Sequence, residues 1–159
     1  TIPQAYIPRV GARIMSLTDP TSKMSKSDKD PNGCVHLLEK PEDIMRKFKR
    51  AVTDSGAEVR RADDKPGVSN LMTIYSAFTG KSDEEIEREF EGRGYGDFKL
   101  AVGEACADAL APVQAEYERL LADRAYLESV MRAGAEDAAY AASRTMSKVN
   151  RRIGFTDLK

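Results

Sequence analysis

A five-residue stretch, Lys23-Met24-Ser25-Lys26-Ser27, carries the residues most suited to chemistry in this chain. Two lysines stand three positions apart, separated by Met24 and Ser25. On a tight turn both ammonium groups can project to the same side, where their rotatable donors suit a phosphate whose charge changes during a reaction. The serine hydroxyls add donors. The residues alone leave two interpretations open: a plain exposed loop between prolines, or a phosphate-binding loop.

The overall composition is that of a folded protein. The 159 residues are 41% hydrophobic and 32% charged, which suits one domain or two small ones. The net charge of −1 excludes a general electrostatic attraction to nucleic acid. Residues 1–52 nevertheless hold ten lysines and arginines against six acidic residues, so the opening third of the chain is its basic part.

The two cysteines and the single histidine follow no metal-binding or disulfide pattern. Cys34 and Cys106 lie far apart in the sequence, and we expect both to be buried or half-buried free thiols. His36 lies in a strand-like context and is expected to be structural. No apolar run approaches the ~20 residues that cross a bilayer, and no signal peptide is recognisable, which favours the cytoplasm. The chain begins at Thr1 in extended-looking sequence, so we expect it to be part of a longer protein.

The elements that must position the lysine pair change in type along the chain. Residues 1–38 are predicted to be irregular and extended, with short strands at 12–17 and 34–38. From Pro41 onward the apolar residues recur at helical spacing. Helices are predicted from Pro41 to about Val52, from about Ser69 to Thr79, from a capping box at Ser82 to Gly92, from the glycine-rich break at 92–98 to about Leu121, and from about Ala125 to Val149.

This pattern predicts a mostly α fold, in which a helical bundle follows a short extended segment. The boundary is placed at residue 40, dividing the chain into residues 1–40 and 41–159; the polar loop at 53–67 is the alternative place for it. Five tyrosines lie in the helical part, and most of them are expected in the core. They are Tyr75, Tyr95, Tyr117, Tyr126 and Tyr140.

The lysine pair and its surroundings resemble a known family. Lys23–Ser27 spells the KMSKS signature of class I aminoacyl-tRNA synthetases, and "YIPRVGARIMSLTDPTSKMSKSD" is similar to the tryptophanyl-tRNA synthetase family. The run Ala51-Val52-Thr53-Asp54-Ser55 and the stretches "KPGVSNLMTIYSAFTG" and "GRGYGDFK" resemble the same family. The resemblance covers nearly the whole chain.

The resemblance implies an ATP-dependent ligase that uses magnesium, activates tryptophan and transfers it to tRNA(Trp). Lys26 would contact the phosphates most directly, with Lys23 assisting as the second catalytic lysine. Met24 and Ser25 would lie along the adenosine and phosphates, and Ser27 would help to fix the loop. Ile14 would touch the adenine through its backbone as well as packing in the core. The implied ATP-binding residues are therefore Ile14, Lys23, Met24, Ser25, Lys26 and Ser27.

The resemblance also implies a division of roles along the chain. Residues 1–40 would be the end of an α/β, Rossmann-like nucleotide-binding domain, and residues 41–159 a helical tRNA- and anticodon-binding domain. Nothing here matches the HIGH motif or the tryptophan pocket, so we expect an incomplete enzyme that is inactive alone, without metal ligands of its own. The family enzymes are homodimers, whereas this chain is expected to be monomeric. Candidate tRNA contacts are Arg46, Lys47, Lys49 and Arg50.

Two other interpretations remain open at this point. The chain is also compatible with a helical RNA-binding or interaction module in which the lysine loop has no catalytic role. A relative specific for tyrosine is the other, because the tyrosyl enzymes share the architecture. The tyrosyl enzymes usually spell the loop differently and lack the run at residues 51–55.

Overall fold

The computed structural model describes residues 2–8 and 11–155, and five α-helices lie within them. They are α1 Pro41–Arg50, α2 Pro66–Thr79, α3 Asp83–Glu89, α4 Gly94–Ala122 and α5 Arg124–Ile153. The prediction of a mostly helical chain is confirmed. The chain forms two compact units, Thr1–Gln114 and Ala115–Lys159, which are described one at a time. None of the described helices combines the length and apolar character needed to cross a membrane.

The segment before α1 contains less strand than predicted. Residues 2–8 and 11–38 are irregular, as expected, while residues 1, 9 and 10 lie outside the described part. The strand predicted at 12–17 is reduced to one antiparallel bridge between Met15 and Lys23, and the strand predicted at 34–38 is coil and turn. A segment of apolar, β-branched composition forms a strand only where another strand pairs with it. Among the described residues, the stretch at 12–17 pairs at one position and the stretch at 34–38 at none. His36 is exposed in that turn.

Local sequence explains where the helices of the first unit begin and end. α2 begins three residues before the predicted Ser69 because Pro66 occupies a first-turn position, where its missing N–H costs nothing. The helix ends at Gly80, whose φ of 73° is left-handed. The predicted capping box of α3 is present, with Ser82 and Glu85 each bonding the other's backbone N–H.

The core of the first unit is built around three aromatic rings. Tyr75, Phe90 and Phe98 meet edge to face, with ring centroids 4.9 to 6.1 Å apart. The apolar stripes predicted for α1, α2 and the first turns of α4 face this cluster. Cys34 and Cys106 are buried free thiols, as predicted, and burial raises the pKa of Cys106 to about 11.

The second unit contains the end of α4 and all of α5, and it buries little of its own surface. Tyr117, Tyr126 and Tyr140 are 45%, 50% and 65% exposed, so the expectation that most tyrosines lie in the core is wrong for these three. Their helical spacing predicts a core stripe, but these three side chains stay exposed beside the described residues of this unit, 115–155. Tyr75 and Tyr95, both in the first unit, are buried as expected.

Candidate functional site

Lys23 lies on a short antiparallel hairpin in the first unit, and Lys26 follows three residues later. Met15 and Lys23 form the bridge of this hairpin, and the N–H of Met24 donates to the carbonyl of Ile14 at 3.0 Å. The hairpin is tied to the helical body because the N–H of Val52, just after α1, donates to the carbonyl of Leu17 at 2.7 Å. The lysine loop therefore begins at a hairpin that is hydrogen-bonded to the helical body.

The turn of this hairpin is closed by one carboxylate. Asp19 accepts hydrogen bonds from the Ser22 hydroxyl at 2.6 Å and from the Thr21 hydroxyl and N–H at 2.6 and 3.0 Å. The bonds from Ser22 and then Thr21 lower the pKa of Asp19 below its ordinary value. The Asp19 carboxylate therefore stays ionised well below neutral pH, and the hydrogen bonds that close the turn persist with it.

The second lysine occupies a turn of its own. The N–H of Asp28 donates to the carbonyl of Ser25 at 3.2 Å, which places Lys26 and Ser27 at the two central positions. The Ser25 hydroxyl accepts the N–H of Ser27 at 3.2 Å. Thus Ser25 shapes the turn through its side chain, while Ser27 contributes its backbone. The side chain of Lys26 is exposed in this turn.

Both lysines present their ammonium groups to solvent. Lys23 and Lys26 are exposed, and neither belongs to an ion pair within residues 2–8 and 11–155. Two unpaired positive groups on one short, fixed loop are suited to an anion with several oxygens, such as a polyphosphate. What the two ammonium groups can do chemically is stabilise negative charge.

The apolar side of the hairpin faces a cavity. Ile14 and Met24 are half-buried and line a space of about 350 Å³ together with Ile74 and Phe78 of α2 and Leu110 of α4. Both residues also pack against the core of the unit. The packing role expected for Ile14 is therefore present, while its contact with adenine stays a prediction.

The chain that follows the loop is held by two further side chains. Lys47 Nζ donates to the Cys34 carbonyl at 2.7 Å and to the Glu39 carboxylate at 2.5 Å. Gln114 Nε2 donates to the carbonyls of Leu37 and Glu39 at 2.8 and 2.9 Å. The loop is thus anchored to α1 and α4 at its far end as well as at its start.

Lys47 departs from the basic surface predicted for α1. It is 7% exposed and is already bonded to Glu39, so it cannot reach an RNA phosphate without unfolding its own site. Its helical position, four residues before Ala51 and three after Ile44, places it on the buried face. Arg46, Lys49 and Arg50 remain exposed, and the Arg46 guanidinium pairs with Asp43 at 2.6 Å.

A second polar cluster joins the run at residues 51–55 to the helices. Tyr95 Oη lies 2.9 and 2.8 Å from the two Asp54 oxygens, and Lys65 Nζ lies 2.7 Å from Tyr95 Oη and 3.2 Å from Asp54. Burial acts to raise the pKa of Asp54, but the bonds from Tyr95, the Gly56 N–H and Lys65 outweigh it and lower that pKa. The hydrogen bond to Tyr95 is the main reason that the pKa of Lys65 is raised.

Replacing Asp54 by asparagine is expected to destabilise the chain at neutral pH and to have less effect in acid. A carboxyl whose pKa is lowered by folding stabilises the fold above its unfolded-state pKa, and loses that contribution as pH falls through the lower folded value. The difference in free energy of unfolding between the wild type and Asp54→Asn should therefore shrink below about pH 4. Urea titrations at a series of pH values measure it. Asp63→Asn, an exposed carboxyl in the same loop, is the control, and a pH-independent difference would contradict the assignment.

Several residues that hold the site are not identifiable from the sequence alone. Asn70, Glu39 and Gln114 bond to chain segments far from them, and the charge pattern of α1 predicts an exposed position for Lys47. A signal exists for Asn70, because it is a polar residue on the apolar face of α2, four positions before Ile74. A buried amide there requires partners.

Two exposed lysines at the end of a short hairpin, followed by a helical body, are the arrangement that the sequence resemblance leads us to expect of a class I aminoacyl-tRNA synthetase. The chain belongs to the family described as "tRNA synthetases class I (W and Y)", whose sequence profile matches residues 1–111. The family expected from the lysine loop and its surroundings is thereby confirmed.

Individual relatives agree with this membership. The chain is 49% identical to a tryptophan–tRNA ligase of Wolinella succinogenes and 47% identical to one of Clostridium acetobutylicum, over 97% of its length in each case. A crystal structure of tryptophanyl-tRNA synthetase from Mycoplasma pneumoniae superposes on 94% of the chain with a TM-score of 0.74 and 31% identity. The chain spans 46–47% of the length of these two curated relatives and 45% of that crystallised chain.

Proposed function

We propose that this chain supplies the phosphate-binding loop and the helical region of a tryptophan–tRNA ligase. The observation that carries the proposal is the pair of exposed lysines, Lys23 on the fixed hairpin and Lys26 in the turn after it, in a chain of this family. The identity to tryptophan–tRNA ligases supports the choice of amino acid. A synthetase from Campylobacter jejuni, described as complexed with ADP and tryptophan, matches 88% of the chain with a TM-score of 0.68 and 25% identity.

The reaction divides into two steps, of which the loop serves the first. The tryptophan carboxylate attacks the α-phosphorus of ATP, the bond from that phosphorus to the bridging oxygen breaks, and pyrophosphate leaves with the electron pair. Negative charge grows on the leaving group, where the Lys26 ammonium is placed to follow it and Lys23 to assist. In the second step a ribose hydroxyl of the terminal adenosine of tRNA(Trp) attacks the carbonyl carbon of tryptophanyl-adenylate, the bond from that carbon to the phosphate oxygen breaks, and AMP leaves with the electron pair.

ATP enters as its magnesium complex, so the metal belongs to the substrate. Within residues 2–8 and 11–155, no three carboxyl, thiol or imidazole groups are grouped as metal ligands. Met24 and Ser25 would contact the adenosine and phosphates largely through their backbone, and Ile14 the adenine. Residues 1–40 would then belong to the catalytic part and residues 41–159 to the tRNA-binding part. Both sides of residue 40 contribute to the first compact unit.

The test uses two proteins. One is this chain alone. The other, here called the extended ligase, is this chain joined to the part of a tryptophan–tRNA ligase relative that has no counterpart in it. We expect ATP–pyrophosphate exchange that depends on tryptophan in the extended ligase and none in the chain alone. Exchange that depends on tyrosine instead would point to a tyrosyl relative. Absence of any exchange by a folded extended ligase would leave the non-catalytic RNA-binding interpretation.

The exposed basic residues of α1 are proposed to contact tRNA phosphates. Neutralising Arg46, Lys49 and Arg50 together to glutamine should weaken tRNA binding and reduce its salt dependence by about one unit of slope for each phosphate that is no longer neutralised. Tryptophan activation should be unchanged. Arg132→Gln, an exposed arginine of α5, is the control. Equal salt slopes for the triple variant and the wild type would exclude this surface.

We also propose an oligomeric state and a cellular compartment for the protein. The extended ligase is expected to be a homodimer and this chain a monomer, and sedimentation of both would measure this. We assign the protein to the cytoplasm, where aminoacyl-tRNA is used, and the two free cysteines agree with a reducing compartment.

A further inference from the structure

A buried amide on α2 clamps the hairpin that carries the lysine loop. Asn70 is 6% exposed. Its Oδ1 accepts the N–H of Met15 at 2.8 Å, and its Nδ2 donates to the carbonyl of the same residue at 2.9 Å. The two residues are 55 positions apart in the sequence. One primary amide thus reproduces the pair of bonds that a neighbouring antiparallel strand would make.

The position of this clamp follows from the pairing on the other side of the hairpin. Bonds from the Met24 N–H to Ile14 and from the Ser16 N–H to the Ser22 carbonyl flank Met15, so Met15 faces Lys23 without exchanging bonds with it. The N–H and carbonyl of Met15 therefore point outward, along the open edge of the hairpin. Asn70 occupies that edge. An isolated two-stranded hairpin is marginal in water, so its edge partner decides how firmly it is held.

We infer that Asn70 is a positioning residue for amino-acid activation, acting through Met15 on Lys23 and the loop that follows. The inference rests on the proposed function. α2 holds the hairpin in two ways, since Ile74 and Phe78 line the cavity under Ile14 while Asn70 bonds the backbone beside it. The cavity leaves the apolar contact incomplete, which makes the amide clamp the specific part of the attachment.

Loss of the clamp should therefore affect the transition state more than the resting protein. Without the Asn70 amide, the N–H and carbonyl of Met15 lose their hydrogen-bond partner. The two groups can then bond to water only if the hairpin moves away from α2. Lys23 and Lys26 then reach the leaving pyrophosphate less often. Misplacing a catalytic group by about 1 Å can cost on the order of 100-fold in rate. We expect Asn70→Leu, which keeps the size and removes both bonds, to lower kcat for activation by about 10-fold to 100-fold.

Two measurements test the inference. In this chain, amide hydrogen exchange at Met15 should be at least about 10-fold faster in Asn70→Leu than in the wild type, since the N–H is released. In the extended ligase, ATP–pyrophosphate exchange should show the fall in kcat with an unchanged KM for tryptophan. Asn70→Asp keeps the acceptor for the Met15 N–H and loses the donor. Its rate of amide exchange at Met15 should therefore lie between the rates of the wild type and Asn70→Leu.

The matched control is Ser69→Ala on the same helix. The Ser69 hydroxyl bonds the Ala62 backbone and does not touch the hairpin, so this variant should leave Met15 exchange and kcat unchanged. Unchanged Met15 exchange in Asn70→Leu, or normal kcat despite faster exchange, would overturn the positioning role. If Asn70→Leu fails to fold, Asn70→Asp decides by the same two readouts. Failure of the proposed function is distinct, because the unsubstituted extended ligase would then show no tryptophan-dependent pyrophosphate exchange, whereas failure of the positioning role leaves that exchange in place.

Discussion

Replacing Lys26 by alanine in the extended ligase is expected to slow tryptophan activation by about 10²–10³-fold. The residue lies at the centre of the Ser25–Asp28 turn, exposed and outside every ion pair of the described residues. An ammonium held ready at the place where charge develops stabilises the transition state without having to reorganise. Its removal should therefore appear in kcat for ATP–pyrophosphate exchange, with the KM for tryptophan little changed.

The loop offers its own control for this prediction. Lys29 is an exposed lysine three positions after Lys26 and carries the same charge, but it lies beyond the turn. Lys29→Ala should retain nearly normal exchange, which separates a positioned charge from the general positive field of the segment. Lys23→Ala should fall between the two, since Lys23 lies on the paired limb. Equal rates for Lys26→Ala and Lys29→Ala would contradict a phosphate contact by Lys26.

The contrast between Lys26 and Lys47 explains which side-chain roles the sequence can reveal. Both are lysines near the basic end of the chain, and the sequence suggests an anion partner for each. The structure leaves Lys26 in solvent and buries Lys47 against Glu39. Lys47 lies on the same helix face as Ile44 and Ala51, which predicts a buried position. The prediction of a tRNA contact followed its positive charge instead. A lysine side chain can be buried, ammonium included, when a carboxylate and a carbonyl accept hydrogen bonds from it.

Helices are predictable because their signals are local. The capping box at Ser82 and the left-handed Gly80 each act within one turn of helix, and both are present where the sequence indicates them. Strands depend on a partner, so composition alone overestimates the strand at 12–17, which has a single bridge. The lysine loop itself is identifiable from five consecutive residues.

The contacts that hold the loop are not predictable in the same way. The bonds between Asn70 and Met15, and between Tyr95 and Asp54, join positions 55 and 41 residues apart. No periodicity or spacing records such a pair, because each partner only has to present a polar group at one place in the folded chain. A buried asparagine on an apolar face signals that a partner exists without saying which one.

A close backbone approach in the first unit gives the prediction with the largest effect on stability. Gly67 is buried in the first turn of α2, and a Cβ placed on it would lie 2.1 Å from the carbonyl oxygen of Val52 and 3.2 Å from the Cα of Thr53. Both are backbone atoms, so no rotamer change relieves the contact. Gly67→Ala must move α2 or the chain after α1, and we expect a loss of about 3 kcal/mol in the free energy of unfolding.

The displacement should also reach the hairpin, because the same short region supports it. The N–H of Val52 bonds Leu17, and Asn70, three residues after Gly67, bonds Met15. Moving the start of α2 away from Val52 therefore strains both attachments of the hairpin at once. Urea unfolding of the chain followed by circular dichroism measures the stability, and amide exchange at Met15 measures the hairpin.

Gly96 is the matched control for this prediction. It lies in the first turn of α4 in the same unit, and a Cβ there meets no atom of the described residues within 4 Å. Gly96→Ala should keep or raise stability, by up to about 1 kcal/mol, because alanine loses less backbone entropy than glycine on forming a helix. If the two alanine variants unfold at the same urea concentration, the tight packing of α2 against Val52 is wrong, and with it the argument that this helix holds the lysine loop in place.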